Sequence, residues 1–307
     1  MPRPKKLFLC EHPNHGKRRD LEQIKEHLSA LAPNLKVQII SGKMNVFQRV
    51  TNQGCSILSM TPWKYPTPKN SQVYAGKNLT KAQECQILDD HHVPVPRWYL
   101  WKEGEMLPNE IRDWGDYIVR KPNIGSRGAE VRMVNRSHLK WKKLHVKYRN
   151  VSSEPFLQEF IYTGECPVSY RVGTFLGEPL YSVKIEAPKS NSPRKEAETL
   201  GEAKCHRNSR IAANSKKSRY TYCRDAAVLD LARRAHRAFP GHPMLAVDII
   251  RDHATGQLWV VEVNASGYCW HLSSEVGRGI QETHRLNFYT QFGGLERAAE
   301  VIANRFG

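Results

Sequence analysis

The chain has 307 residues, 40% apolar and 25% charged, a globular composition with room for two or three packed domains. No apolar run approaches the ~20 residues that span a bilayer, and residues 7–10 are too short an apolar stretch behind the basic N-terminus to make a secretory signal. The seven cysteines form no Cys-x-x-Cys pair, so reduced thiols and a cytoplasmic setting are expected, while a net charge of +17 predicts attraction to an anionic partner.

In chain order, residues 7–10 read as a short buried strand. A helix follows with Leu21, Ile24, Leu28 and Leu31 on one face, stopped by Pro33. Residues 37–40 and 56–60 are the next strands, and strands alternating with helices predict a parallel sheet. Residues 61–72, with three prolines, read as a linker. Thr80 and Gln83 form a capping box for a helix running to about residue 90. Pro94 and Pro96 force an extended exit. Strands are expected at 117–121, 129–134 and 156–161, then a hairpin of 170–175 and 179–185 turned at Gly177. Residues 187–220 are a long basic loop, a feature often functional inside compact domains. A helix carrying Val228, Leu231, Ala232, Ala235 and Phe239 precedes strands at 245–250 and 258–263, and a helix around 295–302 closes the chain.

Two carboxylates interrupt the last strand pair. Asp248 lies in an otherwise apolar strand, and Glu262 breaks the run Trp259-Val260-Val261. A charge buried there needs a partner or a metal. Alternation puts Glu262 and Asn264 on one side of their strand, so Asp248, Glu262 and Asn264 offer hard oxygen donors suited to magnesium. Ion pairs with arginines are the other reading of the same residues. Upstream, Lys121 ends a strand before the turn Gly125-Ser126-Arg127-Gly128, where glycines bring backbone N–H groups near a phosphate. The turn matches neither the Walker nor the dinucleotide pattern. Gln158 and Glu159 lie in the next strand, and Arg171 in the one after.

The ordered set of basic strand end, glycine turn, Gln-Glu strand, arginine strand and Asp…Glu-x-Asn hairpin resembles the ATP-grasp superfamily. It is most similar to the branch holding the ribosomal-protein glutamate ligase and glutathione synthetase. The resemblance spans about residues 78–275 and implies a mixed α/β ATP-grasp fold with an N-terminal Rossmann-like domain. The implied division is 1–76 for that domain, 77–160 for a small ATP-grasp subdomain and 161–307 for a large subdomain carrying the metal site.

The resemblance also implies roles. Lys121 would reach the ATP phosphates, with Lys184 a weaker second contact. The backbone of Glu159, Phe160 and Ile161, next to Gln158, would hold the adenine edge. Gly125, Ser126 and Gly128 would form a flap. Arg171 would stabilise charge during transfer, and Asp248, Glu262 and Asn264 would hold Mg2+, or Mn2+ in its place. This chain departs from the family pattern in three places. Ser169 replaces an acidic residue two before the arginine. No Gly-Gly follows Asn208, so Asn208 (ATP) or Arg210 (catalysis) takes that role. Ala265-Ser266-Gly267-Tyr268-Cys269-Trp270 stands where a Pro-Gly is usual.

The implied activity is an ATP-dependent carboxylate–amine ligase working through an acyl phosphate. A kinase acting on an anionic small molecule and a basic nucleic-acid-binding protein are the alternatives. Expected partners are small-molecule or peptide carboxylates and amines, with an acidic polypeptide or nucleic acid as further anionic candidates. No membrane partner is expected, and a homo-oligomer is compatible with everything above.

Overall fold

The computed structural model describes residues 5–11, 18–41, 54–125, 130–146, 150–188, 217–265 and 269–307. Strands β1 (Lys6–Glu11), β2 (Lys36–Ser41), β3 (Ser56–Ser59) and β4 (Gln72–Ala75) form an all-parallel sheet in the order β2-β1-β3-β4. Helix α1 (Arg18–Leu31) buries Leu21, Ile24 and Leu28, as its spacing predicts. Leu31 instead is 52% exposed, because the helix ends there and Ala32 takes the buried place. Strand β4 starts at the last residue of the apparent linker, where no strand was expected. Four residues after a proline-rich stretch carry no readable alternation, yet Gln72 N donates to the Cys55 carbonyl and starts the ladder.

A second, antiparallel sheet follows helix α2 (Lys81–Asp90), whose Thr80–Gln83 capping box is formed in both directions. Strands β5 (Trp98–Leu100), β6 (Tyr117–Pro122), β7 (Arg132–Asn135) and β10 (Pro155–Glu159) are ordered β5-β10-β6-β7. A separate hairpin is made by β8 (Leu144–Val146) and β9 (Val151–Ser153). Strand β7 begins three residues later than expected, and β10 stops at Glu159, leaving Phe160 and Ile161 past its end.

The third sheet contains β11 (Val168–Phe175), β12 (Glu178–Glu186), β13 (Arg219–Tyr222), β14 (Met244–Arg251) and β15 (Leu258–Asn264), in the order β13-β12-β11-β14-β15 with every pairing antiparallel. The β11–β12 turn has Leu176 at φ 49° and Gly177 at φ 101°, two left-handed residues of the kind a tight hairpin requires. Strand β13 emerges at the end of what the sequence presents as loop, of which residues 189–216 lie outside the described residues.

The two faces of this sheet have different jobs. Val172, Val247, Ile249 and Val263 face helix α3 (Ala226–Arg237), capped by Asp225, and pack on its Val228, Leu231 and Ala235. Tyr181, Val183 and Ile185 join Trp270, Phe288 and Ile302 in a larger core that also contains Leu7, Leu21, Ile24 and Leu28. Helices α4 (Glu275–His284), α5 (Phe288–Gln291) and α6 (Gly294–Phe306) complete that layer. The N-terminal sheet is therefore packed onto the large one rather than tethered beside it. Asp20, 3% exposed, accepts from Trp270 Nε1 at 2.7 Å, Ser273 Oγ at 2.6 Å and Tyr289 OH at 3.0 Å, fixing the start of α1 to the C-terminal segment. Among the described residues no helix is long and apolar enough to cross a membrane.

Candidate active site

The large sheet supplies a polar row. Register sets Arg171 on β11 opposite Asp248 on β14, and Asp248 opposite Glu262 on β15. Directly opposed residues share a face, so the three lie side by side on the face away from α3. Asn264, opposite Ala246, is on the same face one step further along. Arg171 grips Asp248 bidentately, Nε to Oδ1 and Nη2 to Oδ2 both at 2.7 Å, and Asn264 Nδ2 lies 3.4 Å from Oδ2.

A bulge after Asp248 leaves Val261 as an extra residue of β15. Bulges re-aim backbone groups, and here the freed Val261 carbonyl accepts from Lys121 Nζ at 3.1 Å. Lys121 comes from β6 of the small sheet. It also donates to Gln158 Oε1 at 2.9 Å and sits 5.2 Å above the Phe156 ring. Burial, reinforced by the nearby Lys81 charge, pushes the Lys121 ammonium pKa below its usual value. Gln158 is 3% exposed, and its Nε2 is a buried donor with no partner.

Lys81 is the residue the sequence reading misses. It opens α2, and its Nζ donates to Glu262 Oε1 at 2.9 Å and to the Gly125 carbonyl at 3.2 Å. Burial opposes its charge, but Glu262 and then Glu84 outweigh burial and raise its pKa. The same balance holds for Glu262, where burial is overcome by Lys81 and Lys121 and the carboxyl pKa falls. Glu84 goes the other way, pushed up to about 8 by burial and by Glu262. The signal was legible in principle. A lysine in the first helical turn faces the positive end of the helix dipole, where acidic residues are favoured. It needs a reason to be there, and Glu262 is that reason.

The other expected site residues are placed as follows. Gly125 supplies the carbonyl that holds Lys81, and a Cβ on it would press against Pro122 Cγ at 2.9 Å, so its small size matters here. Glu159 N already donates to Arg97 O at 2.8 Å, while its side chain pairs with Arg97 at 2.8 and 3.0 Å. Only its carbonyl remains for a ligand. Lys184 is not brought to the site. Arg171 is opposite Val183, so Lys184 points to the other face and pairs with Glu186 at 3.0 Å. Ser126, Gly128, Asn208 and Arg210 lie outside the described residues.

The result is two buried lysines, Lys81 from helix α2 and Lys121 from the small sheet, meeting strand β15 of the large sheet at Glu262 Oε1 and the Val261 carbonyl. Among the described residues no cluster of three His, Cys, Asp or Glu side chains forms a metal-ligating group. The candidate set is two carboxylates and an amide, each carboxylate held by a cationic side chain.

No family model and no curated protein matches the sequence. Solved structures do match the fold. D-alanine–D-alanine ligase from Bacillus anthracis aligns over 99% of this chain and 100% of its own, at 14% identity and TM-score 0.50. D-cycloserine synthetase DcsG aligns over 98% of this chain and 100% of its own, at 15% identity and TM-score 0.53. The ATP-grasp ligase PsnB, solved with a precursor variant, Mg and ADP, aligns over 98% of this chain and 99% of its own, at 15% identity and TM-score 0.51. These likenesses show that the chain has the fold of ATP-grasp ligases of known structure.

Proposed function

We propose that this protein is an ATP- and magnesium-dependent ligase that joins a carboxylate to an amine through an acyl phosphate. The observation that carries this reading is the meeting of Lys81 and Lys121 with the Arg171–Asp248–Glu262 row across two sheets. Burying that many charges is costly unless they serve one another or a ligand. A triphosphate with its metal matches both halves. The lysines would turn to phosphate oxygens, and the orphan Gln158 Nε2 would gain an acceptor. Asp248, Glu262 and Asn264 have the oxygen chemistry to hold Mg2+, which when bound would neutralise phosphate charge. The segments proposed to close on the nucleotide are 77–160 and 161–307, with 1–76 facing the acceptor.

In the reaction, a carboxylate oxygen of the substrate attacks the γ-phosphorus, breaking its bond to the bridging oxygen and releasing ADP. An amine then attacks the acyl carbon, the C–O bond to phosphate breaks, and the amine loses a proton. Arg171 would stabilise charge on the transferring group, as cationic side chains do in phosphoryl transfer. No nucleophilic side chain is required. The protein's part is to position reactants and keep water from the acyl phosphate.

Product stoichiometry tests this. Protein supplied with ATP, Mg2+ and pools of amino acids and peptides should release ADP and phosphate in equal amounts with the amide. ADP without free phosphate would make the enzyme a kinase instead.

A further inference from the structure

The outer edge of the small antiparallel sheet runs against the charge of the rest of the chain. Residues 89–113 hold six carboxylates (Asp89, Asp90, Glu103, Glu105, Glu110, Asp113) against three Arg or Lys residues, within a protein of net charge +17. All six are exposed, and among the described residues none takes part in an ion pair. Unneutralised charge of one sign on a body of the other sign is a surface tuned for a partner.

The shape beneath it is specific. Strand β5 is the end strand, paired to β10 on one side only. Glu159 N donates to Arg97 O and Trp101 N to Pro155 O, so Arg97, Tyr99 and Trp101 face β10. In an antiparallel ladder the alternate residues, Trp98 and Leu100, turn their N–H and C=O groups outward. Two clefts flank this edge and share Trp98 and Tyr99. One, of about 410 Å³, lies between β5 and α2 and is lined by Gln83, Gln86, Leu100, Lys102 and Glu105. The other, of about 430 Å³, continues past Trp98 to Asp89, Glu110 and Trp114, with Arg97, which is paired to Glu159, as its one basic residue. An open strand edge beside a helix, with aromatic walls and acidic rims, is the geometry of peptide recognition by strand addition.

We propose that this edge is a docking site for an extended, Lys/Arg-rich polypeptide segment. It would pair with the backbone of Trp98 and Leu100 and set cationic side chains against Glu105 and Glu110. The site lies one strand outward from Gln158 and Glu159 and does not depend on the proposed ligase activity. Specificity would come from charge and alternating side chains, affinity from the main-chain bonds.

The test uses the full chain and a fluorescent ten-residue peptide of alternating lysine and valine, followed by anisotropy at low salt. Saturable binding is expected, weakened at least tenfold by the double variant Glu105→Lys/Glu110→Lys. Methylation of alternate peptide amides should weaken it similarly without changing peptide charge. Glu105 accepts from Tyr99 OH at 2.8 Å and Lys102 N at 3.1 Å, so the single variant Glu110→Lys, at an exposed residue, is the fold-neutral control: it should weaken binding in the same direction with a thermal melt matching the parent. Three results would overturn the proposal. One is no saturable binding, and another is binding indifferent to the charge reversal or to amide methylation. The third is self-association of the parent, abolished by the same double variant and unaffected by peptide, which would assign the edge to a second copy.

Discussion

At the scale of single residues, buried charges with identified partners dominate the site. The Arg171–Asp248 pair has side chains 20% and 14% exposed and is bidentate. Removing one partner leaves the other charge uncompensated, so Arg171→Leu should destabilise the protein by about 3 kcal/mol. Arg171→Leu with Asp248→Leu should recover most of that, measured by urea unfolding, while both variants lose turnover. Recovery of activity in the double variant would show that the row is structural only. His236 gives a pH prediction. Its Nδ1 lies 2.7 Å from Thr174 Oγ1, and burial drives its pKa down to about 4 from 6.5. Above pH 6.5 the imidazole is neutral in folded and unfolded chains alike. Between 6.5 and 4 only the unfolded chain takes up the proton, so stability falls as pH falls through that window. The loss from this group approaches roughly 3 kcal/mol, and His236→Gln should flatten that part of the stability–pH curve.

At the scale of elements, long periodic segments were legible and short ones were not. The capping box at Thr80, the α1 and α3 stripes and both hairpins of the large sheet lie where pattern puts them. Strands β5, β8 and β9 have three residues each, below the length at which alternation can be read. The site followed the same division. Asp248 and Glu262 stood out because each interrupts a buried strand, whereas Arg171 was reached only through the family resemblance. Lys81 was hidden because its partner is 181 positions away in the chain, information that no local window holds. Lys184 was misread because a one-residue change of register turns a side chain to the opposite face. Two element-level substitutions follow. Thr80→Ala removes the side-chain acceptor of Gln83 N and should cost about 1 kcal/mol. Gly173→Ala would drive a Cβ into the buried Tyr181 ring, and this overpacking should cost about 1–3 kcal/mol in thermal or urea denaturation.

At the scale of the whole molecule, the three sheets form a frame in which the Arg171–Asp248–Glu262 row, proposed here as catalytic, lies where the small and large sheets meet. The N-terminal sheet is fastened to the large one through Asp20. Asp20→Ala strands three donors and should separate unfolding of the N-terminal unit from the remainder, visible as a second calorimetric transition; a single transition would refute that coupling. The charge of +17 would find a use in the proposed nucleotide site and leaves the acidic sheet edge as a local exception. The central claim is that the γ-phosphoryl group of ATP passes to a carboxylate before an amine displaces it. Substrate carboxylates labelled with oxygen-18 test this most directly, with the released phosphate read by mass spectrometry. Transfer of one labelled oxygen into phosphate for each amide formed is the expected result. Unlabelled phosphate, the mark of attack by water on ATP, would contradict it.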